Sequence, residues 1–121
     1  MKYLLLVHHN EAAFDQISGA ARQQLLGESI ALTHQLHADR QYISASPLHP
    51  VSIAALVRVR NGKALVTDGP FIETHEQIAG YCLIDAPDKK AAVEIAKRVP
   101  GAQIGTVEVR PVVELAGLPG N

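Results

Sequence analysis

Thr67-Asp68-Gly69-Pro70-Phe71-Ile72-Glu73-Thr74-His75-Glu76-Gln77 separates two strand-like runs, and its reading decides how the rest of the chain pairs. Asp68, Glu73 and Glu76 lie too close together, with His75 among them, for a core strand. Asp68-Gly69 supplies a turn, because glycine is free to take φ > 0 and the aspartate can bond nearby backbone. Pro70 fixes its own φ and biases Gly69 away from the helical region. Phe71 is expected to pin the loop by burying its ring. Such a stretch is either a structural corner or a site. Turn chemistry accounts for Asp68, Gly69 and Pro70 but leaves Glu73, His75 and Glu76 unexplained.

Outward from this loop the pattern turns apolar. On its N-terminal side Lys63–Thr67 reads as a strand joined through Asn61-Gly62, a strong hairpin dipeptide, to a strand over Val51–Arg60. On its C-terminal side residues 78–85 are apolar on both faces, the mark of a buried strand. Asp85-Ala86-Pro87-Asp88 then opens a helix, with Ala92, Ile95, Ala96 and Val99 as its buried stripe and Pro100-Gly101 as its stop. Residues 105–113 form the last strand. Val107 and Val109 face one way there, and Glu108 and Arg110 the other.

The first half follows the same logic. Residues 2–9 make a central strand, with Tyr3, Leu5 and Val7 on one face and Leu4, Leu6 and His8 on the other. Residues 10–18 connect it, with room for a short helical turn. Residues 19–39 form a long helix capped by Ser18, with Leu25, Leu26, Ile30, Thr33, Leu36 and His37 on one stripe. Residues 41–45 are a strand, and Ser46-Pro47-Leu48-His49-Pro50 a loop.

Without the Asn61-Gly62 hairpin the order is a split βαβ, the α+β ferredoxin-like arrangement of an antiparallel sheet with two helices on one face. The other face would carry Leu4, Leu6, Leu56 and Tyr81 into water. It therefore predicts a partner, most simply a second copy in a two-fold homodimer. Residues 1–114 form the single domain and 115–121 a flexible Gly/Pro-rich tail.

At 121 residues the chain is long enough to fold without disulfides or metal. A net charge of −1 offers no electrostatic case for nucleic acid or an anionic membrane. The one cysteine, Cys82, lies in an apolar run and reads as an inert buried thiol. The apolar start, residues 1–7, is too short to span a membrane and lacks a small-residue cleavage site, so the expected location is the cytoplasm.

Three stretches carry a family resemblance. Val66-Thr67-Asp68-Gly69-Pro70-Phe71-Ile72-Glu73-Thr74, Glu76-Gln77-Ile78-Ala79-Gly80-Tyr81 and Val107-Glu108-Val109-Arg110-Pro111-Val112 resemble the DGPF branch of the YCII-related proteins. The opening residues 1–6 and Ser46-Pro47-Leu48 fit as well. The resemblance implies a ferredoxin-like fold that dimerises through its sheet as a dimeric α/β barrel. It also implies a cytoplasmic bacterial protein without a settled activity, and an association with extracytoplasmic-function sigma factors as partners. The family has been suggested to use a histidine on the first helix with an aspartate. That position falls on Ser29 here, so the acid/base pair does not carry over, and the glycine expected after the helix is Arg40.

The candidate site gathers His8, Asp68, Tyr81, Glu108 and Arg110 around a cleft between two sheets. Asp68 would be a general base or a ligand acceptor if it faces that cleft, and a cap of its own turn if it does not. Glu108 and Arg110 share a strand face, where the arginine can hold a carboxylate of the loop, of the partner or of an acidic ligand. Tyr81 offers a hydroxyl. His8 and His9 point to opposite sides of a strand and cannot chelate one ion, and His34 and His37 lack a third ligand at matching spacing, so no metal is expected. No phosphate loop, nucleophile elbow or cofactor signature is present, and no cofactor is expected. The expected function is a homodimer binding a small polar or acidic metabolite, with any chemistry being cofactor-free acid/base. The alternative is a non-catalytic module of sigma-factor signalling.

Overall fold

Alternation in strand β1 (Lys2–His9) buries Tyr3 and Leu5 and leaves Leu4, Leu6 and His8 half-covered in the computed structural model, which describes residues 1–120. The further elements are α1 (Glu11–Phe14), α2 (Gly19–Ala38), β2 (Tyr42–Pro47), β3 (Ala55–Arg60), β4 (Lys63–Asp68), β5 (Gln77–Asp85), α3 (Lys89–Ala96) and β6 (Thr106–Pro111). Four strands form one antiparallel sheet in the order β2-β5-β1-β6. Tyr3 and Leu5 of β1, Cys82 and Ile84 of β5, Leu32 and Leu36 of α2, and Ala92, Ile95 and Ala96 of α3 form one core. Both long helices therefore cover the same face, and the fold is the ferredoxin-like α+β arrangement expected from the split βαβ order.

The ends of the elements follow capping chemistry. Ser18 Oγ accepts from the Ala21 N–H at 3.1 Å and starts α2 as expected. The second long helix starts later than expected. Asp88, not Asp85, is its cap and accepts from the Ala91 N–H at 2.8 Å, while Asp85 takes the amino terminus of Met1 at 3.0 Å. Arg40 occupies the left-handed region at φ 60°, where its N–H donates to the His37 carbonyl and that of Gln41 to the Leu36 carbonyl. This closes α2 as a Schellman motif with arginine in glycine's usual place.

Three expectations need correction. β2 runs on through Ser46-Pro47 rather than stopping at Ala45, because it is an edge strand and Pro47 loses no central ladder bond. Val51–Ile53 is a 3₁₀ turn, not strand, and it lifts the next strands out of the main sheet. β3 and β4 pair only with each other, through Asn61 (φ 54°) and Gly62 (φ 74°), the two positive angles a tight hairpin requires. Leu56 thus belongs to this hairpin and not to the open face of the sheet, where Leu4, Leu6, Tyr81 and Leu83 remain.

The stripe of α2 is corrected too. Leu32 and Leu36 are its buried residues, whereas Leu26 and Ile30 are half exposed. Apolar residues are spread around this helix, so only its C-terminal half closes onto the sheet. Of the tail expected over 115–121, residues 115–120 are exposed with turns at 116–117 and 119–120, and Asn121 lies outside the described residues.

Candidate functional site

The open face of the sheet brings three of the expected site residues together. Leu6 lies opposite Glu108 and Leu4 opposite Arg110, so both polar side chains rise from the uncovered face. His8 follows Leu4 and Leu6 by plain alternation in β1, whose register with β6 is unbroken through the His8–Thr106 pair, so it shares their face at the end of the strand. Its Nε2 lies 3.1 Å from Glu108 Oε1, and Arg110 Nε donates to Glu108 Oε2 at 2.5 Å. One carboxylate therefore receives both partners. These hydrogen bonds, first from Arg110 and then from His8, hold the Glu108 carboxyl below the usual carboxylate range.

A lowered carboxyl value means that the folded state resists protonation. The associated stability is present above the ordinary carboxylate value and is lost as pH falls through the folded one. Glu108→Gln is expected to flatten the loss of stability from about pH 5 downward, while lowering stability at neutral pH. Urea unfolding of both proteins across that range checks it, and parallel acid limbs would contradict it.

Tyr81 shares this face, opposite Leu6, but its hydroxyl lies 3.2 Å from Ser44 Oγ on β2, across β5 from the cluster. Asp68 stands apart from the group as well. It ends β4 opposite Ala55, is exposed, and among the described residues its carboxylate has no hydrogen-bond or ion-pair partner. It does not cap its own turn. Phe71, expected to bury its ring, is 69% exposed, with the Arg58 guanidinium 5.7 Å from the ring centre. The hairpin on which the loop hangs lies outside the main sheet and contributes no residue to the core, so the ring is not carried into it.

The rest of the loop is a corner fastened to the chain start. Asn10 Nδ2 donates to the His75 carbonyl at 2.7 Å, and Gln77 Oε1 accepts from the Glu11 N–H at 2.9 Å. Glu11 in turn accepts from the Val51 N–H at 3.1 Å, and Glu76 from Thr106 Oγ1 at 2.9 Å. Of the acidic continuation that turn chemistry left unexplained, Glu76 by its carboxylate and His75 by its carbonyl tie the loop to Thr106 and Asn10.

The other face holds a feature that the sequence reading missed. A cavity of about 350 Å³ opens between α2 and the sheet. Leu26, Ser29 and Ile30 line it from the helix, and Ala45, Gly80 and Cys82 from the sheet. Small side chains at Ser29, Ala45 and Gly80 leave the gap unfilled. A Cβ on Gly80 would meet the Ser46 carbonyl oxygen at 3.0 Å, so the close approach of β2 to β5 disfavours a larger residue there. Ser29 spends its hydroxyl on the Leu25 carbonyl at 2.8 Å, and burial pushes the Cys82 thiol up to about 11. Neither side chain is a ready acid, base or nucleophile.

His9, Phe14 and Arg22 form one rim of this cavity. The His9 ring stacks on Phe14 at 4.5 Å, and the Arg22 guanidinium sits 5.8 Å from the Phe14 ring centre. Burial lowers the His9 value below that of an ordinary histidine, against the opposing pull of Glu11, Asp15 and Glu76. The legible signal for the cavity was the pairing of small residues, Ala45 and Ala79-Gly80, with a helix whose apolar residues follow no single stripe. Among the described residues no group of three or more His, Cys, Asp and Glu side chains is placed to hold a metal ion, and no helix is long and apolar enough to cross a membrane.

These features define a small ferredoxin-like α+β domain with an uncovered sheet face and a cavity beneath its first long helix. The chain belongs to the YCII-related domain family, whose model matches residues 1–116. It is also similar to an uncharacterised protein of Rhizobium meliloti (strain 1021), at 31% identity over 120 residues that cover 93% of this chain and 92% of that protein.

Proposed function

We propose that this is a homodimeric small-molecule-binding protein of the DGPF branch, in which association and ligand binding use opposite faces of the sheet. The uncovered face carries Leu4, Leu6 and Leu83 around a cluster whose charges already satisfy one another. Arg110 is committed to Glu108 and is a poor anchor for a separate acidic ligand. Such a surface suits contact with a second copy better than capture of a metabolite. The exposed valines of the hairpin, Val57 at 66% and Val66 at 68%, add apolar area that association would cover.

The observation that carries the ligand-binding half is the cavity under α2. Its volume of about 350 Å³ is at the small end of the range for small-molecule sites, about 300–1,000 Å³. The cavity is open to solvent at its rim, and a ligand seated there removes its apolar walls from water and so stabilises the fold. Asp68 lines no part of this cavity, and the reading assigns it no chemistry.

Two measurements test the reading. Sedimentation equilibrium should give a dimer, and Leu6→Glu a monomer that keeps its circular dichroism spectrum. The neutral probe N-phenyl-1-naphthylamine should fluoresce on binding, and Ser29→Phe, which fills the cavity, should abolish that signal without dissociating the dimer. Equal fluorescence from Ser29→Phe and the unmodified protein would remove the cavity from the proposal.

A further inference from the structure

Resting on the cavity as the ligand seat, we infer that its ligand is a small amphipathic carboxylate, with an apolar body beneath α2 and its anionic head at Arg22. Three observations support this. Apolar side chains supply most of the wall, from Leu25, Leu26 and Ile30 to Val7 and Ile104. Arg22 belongs to this lining yet has no carboxylate partner among the described residues, whereas Arg110 is paired. The exposed Arg22 guanidinium also adds to the positive end of α2, since Arg22 follows Gly19, Ala20 and Ala21 and the first turn of the helix holds no acidic residue.

The rim sets a guanidinium against two stacked rings. Phe14 lies between the stem of α2 and β1, with Arg22 over its ring and His9 stacked against it. That packing restricts the guanidinium, so less freedom is lost when it forms two hydrogen bonds to a carboxylate. His9 gives a flat wall and one ring N–H. The opposing charges are Glu11, Asp15 and Glu76, which act on His9. Glu11 is bonded to the Val51 N–H and Glu76 to Thr106, both neutral donors, so all three keep their charge and a bound anion would feel each of them, with Asp15 the one whose carboxylate carries no hydrogen bond among the described residues. Asp15 accordingly sets a limit on affinity and gives the inference a second handle.

Displacement of N-phenyl-1-naphthylamine by octanoate, 1-octanol and octylamine tests the inference on the full-length protein. A charge-assisted contact predicts that octanoate displaces the probe at a concentration lower than 1-octanol by about tenfold. Arg22→Gln should remove that advantage and leave 1-octanol unchanged, Arg22→Lys should restore part of it, and Asp15→Asn should tighten octanoate alone. The inference falls if 1-octanol or octylamine competes as well as octanoate, or if Arg22→Gln leaves octanoate unchanged. In those cases the probe still binds and the cavity reading stands. A probe that never binds, or that binds Ser29→Phe equally, defeats the cavity reading itself.

Discussion

Gly105→Ala is expected to lower stability by about 3 kcal/mol, and the melting temperature by roughly 10 °C. A Cβ at this position would stand 1.9 Å from the His8 carbonyl oxygen, 3.0 Å from its carbon and 3.1 Å from His9 Cα. All three are backbone atoms of the central strand and cannot swing aside. Relief requires β6 to move away from β1, beginning at Thr106, which pairs with His8. The same displacement would separate His8 from Glu108, so the Gly105 variant should also lose part of the acid-limb behaviour attributed to that contact. Gly27→Ala is the matched control. A Cβ at this exposed helical position meets nothing within 4 Å, so alanine should stabilise by about 0.5–1 kcal/mol through helix propensity. Thermal and urea melts of the two variants should move in opposite directions, and a neutral Gly105→Ala would show that β6 is not held as close to β1 as described.

Leu36→Ala is expected to cost about 3 kcal/mol, within the usual 2–5 kcal/mol for removing a fully buried leucine. Leu36 has no exposed surface and sits in the core with Leu5 and Ile84. Leu26→Ala, ten residues earlier on the same helix, should cost less than about 1 kcal/mol, because Leu26 is 51% exposed at the edge of the cavity. Helix periodicity alone treats the two leucines as equals. Comparable losses in urea unfolding would mean that α2 closes onto the sheet along its whole length, leaving no cavity.

Much of the architecture was legible because it follows from local rules. Alternation in residues 2–9, the hairpin at Asn61-Gly62 and the cap at Ser18 each act over a few residues, and each appears where the pattern put it. The misreadings arose where distant segments decide. Pro47 was read as a strand breaker, yet its position at the sheet edge makes it harmless. Phe71 was expected to be an anchor, but the hairpin that carries it stands away from any core. The acidic loop reads as a corner or a site, and the bonds of its Glu76 and Gln77 to β6 and α1 are those of a corner.

Of the expected site, His8, Glu108 and Arg110 were found as a group because strand parity fixes which side chains share a face. Tyr81 was placed on the correct face and bonded elsewhere, since parity says nothing about the direction a hydroxyl takes along that face. By itself, then, the sequence determined the split βαβ order, the single helix-bearing face and the polar row opposite it. Those depend on periodicity and capping, which are encoded within each element. Only the tertiary structure decided that the hairpin leaves the sheet, that His8 and Arg110 converge on one carboxylate, and that a void remains beneath α2. The β1–β6 register sets which carboxylate His8 meets, and the void is a difference in volume between Ser29, Ala45 and Gly80 and the space they border. Neither quantity exists until segments far apart in the chain are packed together.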